Sequence, residues 1–147
     1  MERVLVTGGF GFIGSHIVDN LMRNHYEVAV YDNLSTGAMK NVHSNVVTFI
    51  GNIEDEGELE KAIESFRPDY VVHKAAQVSV QNSISDISND AMINIIGTVN
   101  IIKFAHKYAV KKIIFASSAA VYGNAHVMPI AISHPAQPLS PYGASKK

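Results

Sequence analysis

Between Thr7 and Gly14 the chain reads TGGFGFIG, with glycines at 8, 11 and 14. An apolar run over residues 3–8 leads into it, and Ile13, Ile17, Val18 and Leu21 follow at helical spacing. A buried strand that turns through glycines directly into a helix opens a sheet whose strands are joined by helical crossovers, and such crossovers make the strands parallel. The rest of the chain repeats the alternation. Strands are predicted over residues 26–32, 45–51, 69–75 and 111–118. Leu59, Ala62, Ile63 and Phe66 form a helical stripe that Pro68 closes. A long helix over 90–108 carries Ile93, Ile96, Ile101 and Phe104, with Ile95 and Ile102 widening its apolar face. Near-continuous apolar strands imply burial on both faces. The expected fold is therefore α/β, a Rossmann-type doubly wound parallel sheet. Residues 33–46 are too polar and broken for a full helix and read as an irregular loop. Residues 124–141 hold four prolines without a period and read as an extended loop.

The glycine run has a chemical reading. Gly8 and Gly11 let the backbone turn sharply and approach a pyrophosphate, and Gly14 lets the helix pack closely on the sheet. The helix N-terminus then offers free N–H groups and partial positive charge to phosphates. Asp32 ends the next strand, where a carboxylate binds adenosine ribose hydroxyls and repels a 2′-phosphate, which favours NAD over NADP. Near the end, SPYGASKK sets Tyr142 and Lys146 four residues apart on one helix face. A free tyrosine is a poor base at neutral pH. A neighbouring ammonium and a cationic nicotinamide ring favour its phenolate. Tyrosine then takes a proton from a sugar hydroxyl as hydride leaves the same carbon. Ser117 and Ser118, at the end of the fifth strand, offer a hydroxyl to hold that oxygen.

Composition removes other classes. Lys plus Arg is 12 against 13 for Asp plus Glu, so no basic field for nucleic acid or an anionic membrane exists. There is no cysteine, which excludes disulfides and thiol catalysis. No apolar run reaches bilayer length and the start does not read as a signal peptide, so a cytoplasmic protein is expected. The seven histidines (16, 25, 43, 73, 106, 126, 134) form no His-x-x-x-His pair and sit beside no carboxylate cluster, so no metal site is expected. His73 reads as a satisfied buried histidine, and the acidic run 54–60 as a helix start.

The segments VLVTGGFGFIGSH, DNLSTG, HKAAQVSV, NIIGTVN, SSAAVYG and SPYGASK together resemble the extended short-chain dehydrogenase/reductases, in their NAD-dependent sugar-nucleotide epimerase/dehydratase group. The resemblance is strongest to the UDP-glucose 4-epimerase branch and runs along the whole chain. It implies Gly8, Gly11, Phe12, Ile13, Gly14, Asp32, Asn33, Leu34 and Ser35 at the diphosphate and adenosine end of NAD. Asn52 and Ile53 are implied beside the adenine, Ala75, Ala76 and Gln77 along the cofactor, and Asn94 as a buttress from the long helix. Ser118 is implied as the sugar-oxygen partner, with Ser117 beside it, Tyr142 as the base, and Lys146 as the ribose ligand that tunes the tyrosine. It also implies a homodimer in which the long helix and the helix starting at Tyr142 pair with their copies across a two-fold axis, and a UDP-sugar substrate.

Three positions depart from the family pattern and two from that of its dehydratase branch. Asn52 stands for Asp, Lys74 for an apolar residue and Ile132 for an acidic one, and Ala119-Ala120 replace the acidic pair of dehydratases. The last departure disfavours dehydration.

By the same resemblance the chain is an incomplete NAD-binding domain over 1–147, lacking the last strands and a C-terminal substrate domain. That predicts an edge at the fifth strand, a bare sheet face and a frayed Lys146. Two readings of the whole stand side by side: a poorly active piece of a nucleotide-sugar epimerase, for UDP-glucose or another sugar, or a non-catalytic NAD-binding or interaction module.

Overall fold

The computed structural model describes residues 1–42 and 45–147. His43 and part of the 33–46 connection lie outside the described residues. Five parallel strands form one sheet: β1 Arg3–Thr7, β2 Glu27–Asp32, β3 Val47–Ile50, β4 Tyr70–His73 and β5 Lys112–Phe115. Their order is β3-β2-β1-β4-β5. The chain winds outward from β1 in both directions, which puts the topological switch point beside β1, at the carboxyl ends of β1 and β4.

Alternate residues of each strand feed two cores. On one face Val4, Val6, Val28, Val30 and Val72 pack with Ile17, Val18 and Leu21 of α1 (Phe12–Arg23). On the other, Leu5, Ala29, Tyr31 and Val71 meet α2 (Glu56–Phe66) through Leu59, Ala62, Ile63 and Phe66. Ile101 and Phe104 of α5 (Gly97–Lys107) complete that core. This two-sided burial is the physical reason the strands read as unbroken apolar runs. The acidic run opens α2 as expected. The Asp55 side chain accepts from the Glu58 N–H, and Arg67 closes the helix in the left-handed region before Pro68.

The long helix begins earlier than its apolar stripe suggests. Its first segment, α4 (Ile87–Ala91), starts where the Asp86 side chain accepts the Asn89 N–H. A π-turn over Met92–Ile96 then joins α4 to α5. A short helix, α3 (Val80–Ser85), capped by Ser79, has no apolar period and was not legible. The described part of 33–46 holds one 3₁₀ turn, Met39–Asn41. The proline-rich loop has no regular element before α6 (Pro141–Ser145), which starts on the Ser140 cap with proline in its first turn.

Strand β5 pairs with β4 and forms an edge of the sheet. Ile114, beside Val72 on the α1 face, is 55% exposed. The expected bare patch is thus present. No helix among the described residues is long and apolar enough to cross a membrane.

Candidate active site

A cleft of about 590 Å³ opens at the carboxyl ends of the strands. Gly8, Gly11, Phe12, Ile13 and Gly14 form its floor. Gly8 has φ +66°, and a Cβ there would come within 2.7 Å of the Ala75 nitrogen, so the turn requires glycine. A Cβ on Gly14 would run into the Gly8 carbonyl oxygen. Helix α1 begins at Gly11 with no side-chain cap, which leaves the N–H groups of its first turn facing the cleft without a side-chain acceptor.

Asp32 is buried, and both carboxylate oxygens hold backbone. One accepts from Phe10 N–H at 2.9 Å and the other from Leu34 N–H at 2.8 Å. It therefore fixes the glycine loop and the following loop together. Each oxygen keeps a lone pair for a ligand hydroxyl. Leu34 is held at φ +60°, a conformation rare for a non-glycine residue. Asn33 donates to the Asn52 Oδ1 at 2.8 Å. Asp32, Asn33, Ser35 and Ile53 line the cleft; Leu34 and Asn52 stand just outside its lining.

Toward β4 and β5 the cleft is lined by Ala75, Ala76, Ser117, Ser118, Tyr142 and Lys146. Gln77 and Asn94 lie behind this wall. Asn94, 3% exposed in the π-turn, accepts from the Gln77 N–H. Its amide group lies within donating distance of the Gln77 carbonyl, Asp90 and the Ser145 hydroxyl, at 3.0–3.1 Å. One side chain thus ties the loop after β4 to the helix that carries Tyr142 and Lys146. Asn94 shares the inward face of the long helix with Asp90, Gly97, Ile101 and Phe104, all buried at helical spacing. The Ser118 Oγ accepts the Ala120 N–H at 3.2 Å, so its proton is free to donate. The Ser117 hydroxyl donates to the Lys146 carbonyl at 2.8 Å.

That bond overturns the expected fraying of Lys146. The residue is 4% exposed, its N–H bonds the Tyr142 carbonyl, and its ammonium lies 4.4 Å from the centre of the Phe115 ring. Burial, and then the charge of Lys74, push its pKa down to about 8, partly offset by Asp90. His73 is buried between Thr7 and Thr98 as expected. Its Nδ1 lies 2.6 Å from Thr7 Oγ1 and its Nε2 lies 3.0 Å from Thr98 Oγ1. Burial, Lys146 and Lys74 push its pKa down to about 4.

Tyr31, Glu54, Val78, Ile93 and Lys74 also line the cleft. Tyr31 donates to the Asn52 carbonyl at 3.0 Å, and burial, with Asp55, Glu58 and Glu54 nearby, raises its phenol far above the ordinary range. Its place beside Asp32 at a strand end was the available signal. Among the described residues no three His, Asp or Glu side chains gather as a metal site would need. The arrangement is an anion cradle at one end of a single cleft and a hydroxyl, a phenol and an ammonium at the other.

Known proteins share this fold. A UDP-glucose 4-epimerase of Mycolicibacterium smegmatis is 37% identical over 98% of this chain and 48% of its own length. The crystal structure of the Thermus thermophilus UDP-glucose 4-epimerase complexed with NAD superimposes with a TM-score of 0.94 at 44% identity, covering 98% of this chain and 47% of that one. The Thermotoga maritima UDP-glucose 4-epimerase with UDP-glucose gives 0.94 at 45% identity, over 98% and 47%. The chain therefore spans about half the length of these relatives. The model of the NAD dependent epimerase/dehydratase family matches residues 4–147, and the chain belongs to that family.

Proposed function

We propose that residues 1–147 are the NAD-binding Rossmann domain of a UDP-glucose 4-epimerase, whose substrate domain corresponds to the remaining half of its relatives. The observation that carries this is the single cleft that joins the glycine cradle and Asp32 to Ser118, Tyr142 and Lys146. The cradle fits a dinucleotide, because added Cβ atoms would fill it and the first turn of α1 is left uncapped. Bound NAD supplies a reversible hydride acceptor for the sugar C4. Tyr142 takes the proton of the 4-hydroxyl and later returns it, while Ser118 donates a hydrogen bond to the same oxygen. Lys146, held by Ser117, presents its ammonium to the nicotinamide ribose and to the tyrosine. Asp32 accepts from adenosine ribose hydroxyls, with Asn33, Leu34, Ser35, Asn52 and Ile53 around the adenosine. Ala75, Ala76 and Gln77 flank the cofactor, with Asn94 as their buttress. Ala119 and Ala120 offer no acid or base for eliminating water, which favours epimerisation over dehydration.

An exposed stripe of Met92, Ile95, Val99 and Ile102 at helical spacing supports a homodimer through this helix. A cytoplasmic location fits a nucleotide-sugar substrate and the lack of a membrane-length helix among the described residues. The test joins residues 1–147 to the second half of a relative and follows interconversion of UDP-glucose and UDP-galactose. Tyr142→Phe should lower kcat by about 10²-fold or more. Full activity in that variant overturns the proposal.

A further inference from the structure

Most exposed lysines of this chain are ion-paired: Lys61 with Glu58, Lys103 with Glu56, Lys107 with Glu60 and Lys111 with Asp69. The two lysines that are not exposed, Lys74 and Lys146, have no carboxylate within salt-bridge distance among the described residues. Both line the cleft. Its lining carboxylates, Asp32 and Glu54, belong to the β2 and β3 side of β1, whereas Lys74 and Lys146 belong to the β4 and β5 side. The first turn of α1 follows β1 and stands between the two groups. Lys74 is partly buried and Lys146 buried, and with only Asp90 offsetting the charge of Lys146 their desolvation penalty is incompletely repaid, which an anion in the cleft offsets.

Lys74 is also the residue whose backbone meets the cradle. Its N–H bonds the Thr7 carbonyl at 3.0 Å, and its carbonyl carbon lies 2.9 Å from where a Gly8 Cβ would be. We propose that Lys74 is a diphosphate-anchoring residue, its ammonium pairing with the diphosphate of the dinucleotide seated on the first turn of α1. The inference rests on the NAD-binding reading above. The diphosphate is the anionic part of that cofactor, and a third positive charge aimed at the cationic ring would be repelled.

Calorimetric titration of the 147-residue chain tests it, with NAD, ADP-ribose, adenosine and UDP against wild type, Lys74→Met and Lys74→Arg. Lys74→Met should weaken NAD and ADP-ribose by the same factor, about tenfold at low salt and less at high salt. Adenosine should be unaffected, and Lys74→Arg should retain affinity. Melting without ligand checks the fold, and Lys74→Gln serves if the methionine variant is unstable. Unchanged affinity, a loss confined to NAD, or a loss confined to UDP overturns the inference. If wild type binds neither NAD nor ADP-ribose, the cofactor reading itself fails and the inference falls with it.

Discussion

Acid should unfold this protein through His73. The Thr98 hydroxyl donates to the Asn94 carbonyl at 2.7 Å, so it can only accept from the ring, which puts the neutral proton on Nε2. The other ring nitrogen accepts from Thr7, whose oxygen already receives the N–H groups of Lys74 and Ala75. A second ring proton would turn the Thr7 hydroxyl away from its acceptor, inside a site that is 1% exposed and faces Lys74 and Lys146. The folded pKa of about 4 lies below the ordinary 6.5. Between those values the unfolded chain binds the proton and the folded chain does not. Stability from a neutral His73 is therefore full above pH ~6.5 and lost as pH falls toward ~4, at about 1.4 kcal/mol per unit and about 3 kcal/mol in all. The assay is urea denaturation of wild type and His73→Gln across this range. At neutral pH the variant should be weaker by about 1–3 kcal/mol, because Thr7 and Thr98 lose a fitted partner. As pH falls toward ~4, the balance should shift by about 3 kcal/mol in the variant's favour, closing or reversing that difference. Carboxylates and the other histidines titrate in both proteins and cancel. Parallel stability curves would refute the reasoning.

Other outcomes follow from single contacts. Lys146→Met should raise ligand-free stability at pH 7 by about 1 kcal/mol, the full shift being discounted because the cleft admits water. That gain should shrink as pH rises from about 8 toward 10.5, while NAD affinity falls. Gly14→Ala drives a methyl into the Gly8 carbonyl and toward the Gly9 Cα at 2.8 Å, and should destabilise by about 3 kcal/mol or more in denaturant titration. Asn94→Ala should cost about 2–3 kcal/mol and speed amide exchange in α6, since its ties to Gln77 and Ser145 go together. Ile95→Glu with Ile102→Glu should leave monomers in sedimentation if the exposed stripe joins two copies.

The strands and the glycine cradle were legible because they follow local rules: unbroken apolar runs, period-3.6 stripes, and glycines where backbone meets backbone at Gly8 and Gly14. Strand ends ran long in the reading. Residues 116–118, apolar or small like the strand before them, leave the ladder after Phe115 to shape the cleft. The π-turn was not legible, since Met92–Ile96 shows nothing that separates it from α-helix. Lys74 was legible as an oddity, but its lack of a carboxylate partner among the described residues is a property of three dimensions. The fixed position of Lys146 likewise depends on Ser117, 29 residues away along the chain.

Because β1 precedes the other four strands yet occupies the middle of the sheet, it leaves the ribosome before either of its neighbours and is flanked on both sides only late. Pairing with β2 is available once residue 32 is made, whereas β4 can close the other side only after residue 70. For that interval of synthesis the edge of Val4–Thr7 stays open to wrong partners, a pairing hazard that ends only when β4 docks. On the NAD-binding reading proposed above, the cofactor adds its full stabilisation only after Lys146 docks on Ser117 and completes the far wall of the cleft.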